Sequence, residues 1–224
     1  MSHERTAALA GALFVALDMV VGVMAGAPPS PGAPEDEILA YLADHRTGLA
    51  VGLWLFGLAT IPLLWWFGSL WVRLVHAEAG TPRLAVVSLA GLLLGGTMAL
   101  ASAVMMAALG LLPTDAEGAV TVYTIAAVLL SAAGFGLAAH LLAANVLAAR
   151  GDTFTRWLVV VGLVSASAFL VSAVLGAVSN DATSNTIGLI GFVLWLVWIL
   201  GVSHRMWDGD ARTGSRSDLV ARRS

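Results

Sequence analysis

The chain has 224 residues, 59% of them hydrophobic and 11% charged, with a net charge of −3, no cysteine and a mean hydropathy of +0.90. A soluble domain carries about a quarter of its residues as Asp, Glu, Lys and Arg, and a soluble core of this size cannot hide so much apolar surface. These values argue against a soluble enzyme, a nucleic-acid binder and a secreted domain, the absence of cysteine excludes disulfide, thiolate-metal, iron–sulfur and cysteine-nucleophile chemistry, and together they point to a polytopic, all-α membrane protein.

Six apolar segments follow one another. The first runs from about Thr6 to Ala27 and stops at Pro28-Pro29-Ser30-Pro31. It is long enough to span and is followed by no small-residue cleavage site, so it reads as a retained helix, not a signal peptide. The others are expected at about Thr47–Val72, Leu84–Leu112, Ala119–Ala149, Trp157–Ser179 and Thr186–Ser203. Backbone groups in hydrocarbon must bond within their own segment, so each run should be a transmembrane helix.

Between the first two segments, Pro34 precedes Glu35, Asp36 and Glu37, and Ile38, Leu39, Tyr41 and Leu42 then recur at helical spacing. Proline at the first position and acids near the positive end of the dipole mark a helix start. The pattern predicts a short amphipathic helix in the first outer loop, lying on the membrane surface or capping the bundle. The acidic triplet reads first as a solvated helix start and second as a cation site. Domain organisation is a six-helix transmembrane domain over 1–206 and a Gly-, Ser-, Asp- and Arg-rich tail over 207–224 that is expected to be disordered.

All eleven basic side chains are Arg, as codon bias in a GC-rich bacterial genome would produce. With the N-terminus cytoplasmic, that side holds Arg5, Arg73, Arg83, Arg150, Arg156, Arg205, Arg212, Arg216, Arg222 and Arg223, and the other side only Arg46. This asymmetry predicts both termini in the cytoplasm and insertion in the bacterial plasma (inner) membrane. Trp65, Trp66, Trp71, Trp157 and Trp207 fall toward the same side and are expected as interfacial anchors.

Gly22 and Gly26, Gly48 and Gly52, and Gly91 and Gly95 repeat at the four-residue spacing that lets helix backbones approach closely. Pro62 within the second span suggests a kink. Asp18 and His140 are the ionisable side chains within the spans, where each costs about 2.5 kcal/mol or more. Counted from the flanking arginines, Asp18, His140, Thr60, Thr97 and Ser167 all fall roughly 15 to 21 Å up their helices. They are therefore candidates for one mid-membrane polar cluster. Such a cluster would order the bundle, with Asp18 protonated or paired, or would bind a small polar solute or relay protons.

Catalytic readings lack their parts. No Gly-x-Ser-Gly turn is present, and His140 and Asn145 have the wrong spacing for one helical face. A haem site needs histidines on two helices, and a carboxylate metal site needs more than Asp18. No cofactor, no metal and no nucleic-acid partner is expected; the partners are the lipid bilayer and either a small polar solute or another membrane protein.

The opening Arg5-Thr-Ala-Ala-Leu-Ala-Gly11, the Arg156-Trp157-Leu158 start of the fifth span with Gly162-Leu163 after it, and the six-span layout resemble a bacterial family of six-helix integral membrane proteins, a domain of unknown function. The resemblance implies the layout and brings no activity or functional residues with it. The expected function is that of a non-enzymatic, multi-pass helical bundle, with a small-solute or proton-coupled transporter as the alternative.

Overall fold

The computed structural model describes residues 3–78, 80–111, 115–150, 154–179 and 182–221, with side chains described as far as 208, Ala177 excepted. Asp181, Arg222 and Arg223 lie outside the described residues. Among those described, the backbone is helical with no strand: α1 (His3–Ala25), α2 (Glu35–Glu78), α3 (Arg83–Leu111), α4 (Ala116–Arg150), α5 (Arg156–Val178) and α6 (Ala182–Ala221). All six contain a stretch long and apolar enough to cross a membrane, which in α6 is Ala182–Asp208.

Local chemistry sets the helix ends. After Ala25, Gly26 takes φ 65°, the left-handed geometry a glycine adopts without penalty, and prolines 28 and 29 prevent resumption. Pro34 and Pro82 each accept the first helical N–H bonds of the helix they precede, α2 and α3. Consecutive helices pack side by side and α1 closes the ring on α6. The end where α1 starts and α2 finishes is the basal end; the other is the apical end.

α4 lies innermost, against α3 and α5 and reaching α2 and α6. Glycine and alanine make that possible. A Cβ on Gly91 of α3 would sit 2.6 Å from the Gly136 carbonyl oxygen and from the His140 nitrogen, and one on Gly95 would sit 2.8 Å from the Ala133 oxygen. On the other flank, a Cβ on Gly134 would meet the Phe169 oxygen of α5 at 2.7 Å. The remaining small-residue pairs divide: Gly48 abuts the Met24 carbonyl of α1, whereas Gly22 has open space beside it.

α5 and α6 are joined by two hydroxyls one heptad apart. Ser165 donates to the Gly191 oxygen at 2.7 Å and Ser172 to the Ser184 oxygen at 2.7 Å. In both, a buried side chain of α5 meets a backbone carbonyl of the antiparallel neighbour.

Two expectations are corrected. The amphipathic stretch after Pro34 is not a separate short helix. It is the first part of the 44-residue α2, about 66 Å long against a hydrocarbon thickness of about 30 Å. Ala43-Asp44-His45-Arg46-Thr47 is polar but holds no Pro or Gly, so the helix propagates through it. Ile38, Tyr41, Leu42 and Leu49 pack with Ala119 and Tyr123 of α4 in an apical core of their own. The Tyr41 hydroxyl donates to the Ala25 carbonyl at 2.8 Å and that of Tyr123 to the Pro29 carbonyl at 2.5 Å. Arg46 donates from Nε to the Gly110 carbonyl near the end of α3. The acidic residues 35–37 are exposed, a solvated helix start.

The second correction concerns Trp66, which is fully buried in the main core while its neighbour Trp65 is 60% exposed. Adjacent helical residues differ by about 100°, and position 66 faces α1 and α6: a Cβ on Gly11 would meet the Trp66 ring at 2.5 Å and also the Ser203 hydroxyl.

Candidate functional site

Polar groups inside the main core gather around the aromatic rings of α2 and α6. His140 of α4 is fully buried. Its Nδ1 lies 2.9 Å from the Ser88 hydroxyl and 3.1 Å from the Ser88 carbonyl oxygen on α3. With the proton on Nδ1 the ring donates to the Ser88 carbonyl, and with the proton on Nε2 it accepts from the Ser88 hydroxyl. Nε2 has no hydrogen-bond partner among the described residues. The ring is walled by Phe67 at 5.6 Å and by Trp198, edge-on, at 5.8 Å.

Trp198 is the hub of this region. Its ring also meets Trp66 at 5.9 Å and Phe154 at 5.7 Å, each in an edge-to-face arrangement. Its indole N–H donates to Asn145 Oδ1 at 3.3 Å, and the Asn145 amide donates in turn to the Leu141 carbonyl at 2.8 Å. Gly162 of α5 leaves the space that Asn145 occupies, since a Cβ there would fall 2.6 Å from the Asn145 Cγ.

Asp18 lies on the face of α1 that also carries Gly11 and Phe14. It is 3% exposed, and its Oδ2 has no hydrogen-bond partner among the described residues. Phe14, one turn below, meets the Trp195 ring of α6 edge-on at 5.5 Å. The Trp195 and Trp66 indole nitrogens and the Ser203 hydroxyl are likewise buried without a partner among the described residues. These four atoms lie along the α1–α2–α6 seam.

The five candidate residues share a depth but not a place. Asp18 and His140 are both buried, and His140 turns to Ser88, Phe67 and Trp198, with no bond joining it to Asp18. Thr60 donates to the Gly57 carbonyl of its own helix at 2.6 Å, and Ser167, exposed, donates to Leu163 at 2.9 Å. Thr97 is exposed. Counting along the axis gives height and says nothing of azimuth. Thr97 and Ser167 each stand two residues, about 200°, from a buried position, Gly95 and Ser165.

Of the main-core side chains that bond across helices, His140 belongs to the candidate set, whereas Ser88, Asn145, Ser165, Ser172 and Trp198 are absent from it. A signal existed for two of them: Ser165 and Ser172 on α5, with Ser179 just after it, recur every seven residues, the repeat of a helix–helix seam.

Comparison with protein-family models, with curated proteins and with solved structures finds no match to this chain.

Proposed function

We propose that the chain is a multi-pass protein of the bacterial plasma (inner) membrane, with both termini cytoplasmic, that works as a non-enzymatic helical bundle through contacts with lipid or a partner membrane protein. One observation carries this reading: the polar side chains that meet between helices hold the bundle itself together. Ser165 and Ser172 bond to α6 backbone, His140 to Ser88, and Asn145 to Trp198. In lipid, such bonds and close glycine contacts do the work that the hydrophobic effect does in water. The basal end carries nearly all of the arginines, which supports its placement in the cytoplasm.

The absence of cysteine from the sequence makes the orientation directly testable. Single cysteines at Asp36, exposed and apical, and at His76, exposed and basal, are treated in intact cells with an impermeant maleimide. Labelling of position 36 alone supports the reading, and labelling of position 76 before permeabilisation overturns it.

The unpartnered Asp18 oxygen favours a second reading, a small-solute or proton-coupled transporter working along the α1–α2–α6 seam. Proteoliposomes separate the two. A bundle without transport activity leaves proton flux at the protein-free level, whereas flux that Asp18→Asn removes establishes a carrier.

A further inference from the structure

The basic side chains of the basal end fall into two groups. On the α1–α2–α6 side three have partners, Arg73 pairing with Glu4 at 2.9 Å, Arg5 lying 5.4 Å over the Trp207 ring and His204 lying 3.4 Å from Asp208, while Arg205 of α6 has no carboxylate within salt-bridge distance among the described residues. On the other side stand Arg83 at the start of α3, Arg150 at the end of α4 and Arg156 at the start of α5, all exposed. None of the three has a carboxylate within salt-bridge distance among the described residues.

The acid beside them, Glu78, lies in the field of Arg150 but spends its hydrogen bonds on the backbone. Its Oε1 accepts from the backbone N–H groups of Arg83 at 2.9 Å and Leu84 at 2.8 Å, and its Oε2 from that of Ala85 at 3.0 Å. Asp152, between Arg150 and Arg156 in the sequence, lies outside the described residues.

α4 packs against both α3 and α5, so the three ends are neighbours. Directly below the arginines the outward surface turns apolar, with Val87 45%, Val146 38% and Val160 58% exposed, and Trp157 stands beside Arg156 at 52%. Guanidinium groups suit phosphate oxygens because their N–H donors form a planar fork. Trp favours the headgroup level, and an apolar wall beneath suits acyl chains. A free phosphate ion would use the arginines and leave the wall idle.

We propose that Arg83, Arg150 and Arg156 form a headgroup site for an anionic phospholipid on the α3–α4–α5 edge, with its acyl chains lying against the apolar faces below. The proposal rests on the membrane-spanning reading, with this end at the cytoplasmic surface.

The test uses the full chain in detergent, titrated with phosphatidylglycerol or phosphatidylcholine, with retained lipid read by native mass spectrometry and stability by melting temperature. Wild type should retain phosphatidylglycerol at least tenfold more than phosphatidylcholine and melt several degrees higher with it. The variant R83Q/R150Q/R156Q should lose that preference while melting as wild type does in phosphatidylcholine. The variant R205Q/R212Q/R216Q, which removes the same charge from α6, should keep it. Equal loss in both variants reduces the effect to diffuse charge and overturns the site. Inorganic phosphate that reproduces the stabilisation overturns the lipid as ligand. Wild type with no preference between the two lipids also overturns the site while leaving the membrane reading intact. Recovery of the chain monodisperse in buffer without detergent is the different result that removes the membrane reading itself.

Discussion

The Trp198 indole donates to Asn145 Oδ1 across 3.3 Å, in a core where both residues are fully buried. This bond ties α6 to α4, and Gly162 of α5 admits the amide that makes it. Asn145→Ala leaves the indole N–H buried without an acceptor, a loss of about 1–3 kcal/mol. The expected outcome is a lower melting temperature in detergent, partly restored when Trp198→Phe removes the stranded donor. If the double variant is less stable by the sum of the two single losses, the bond is not what couples α4 to α6.

Gly136 faces Gly91 and Gly95 across the α3–α4 seam, where an added Cβ would meet the Gly91 oxygen at 2.7 Å. Backbone cannot yield as a flexible side chain can, so Gly136→Ala forces the helices apart. Overpacking of this kind costs about 1–3 kcal/mol. Gly22→Ala, at a position with open space beside it, is the matched control. A thermal melt should show loss for the first and no loss for the second.

Ser165 and Ser172 bond to α6 carbonyls with no charge involved. Interhelical bonds of this type average about 0.6 kcal/mol in lipid. The double variant S165A/S172A is therefore expected to lose about 1 kcal/mol, measured by unfolding in mixed micelles. Ser167→Ala, on the exposed face, should change nothing.

Glu78 lies beyond the second apolar segment and caps the start of α3. Desolvation opposes its charge, but the N–H groups of Ala85, Leu84 and Arg83 and the field of Arg150 together outweigh it and hold the carboxyl below its ordinary value of 4.5. A carboxyl whose folded value is depressed adds stability that is fully present above 4.5 and is lost as pH falls through the folded value. The wild-type melting temperature should therefore fall in acid. Glu78→Gln should melt lower at neutral pH and show a shallower acid limb; an unchanged acid limb would assign that slope to other carboxylates.

Hydropathy located the helices. Each apolar segment from Thr6–Ala27 to Thr186–Ser203 lies within or close to an observed helix, because a backbone removed from water has little choice but to bond to itself. The continuity of α2 through Asp44, His45 and Arg46 was harder to read, since a polar stretch resembles a loop until one notes that nothing in it breaks a helix.

Composition and the order of residues were sufficient for the apolar character of the segments, the number of long helices and the end at which the arginines gather, since each is a property of a segment taken alone. Tertiary structure decided which side of each helix turns inward: Trp66 and not Trp65, Ser165 and not Ser167, Gly95 and not Thr97. In water, an amphipathic stripe announces that choice. These helices are apolar all round, so their sequences carry little directional signal, and the inward face is settled by where glycines let neighbouring backbones touch and where Ser, Asn, His and Trp find partners on the next helix.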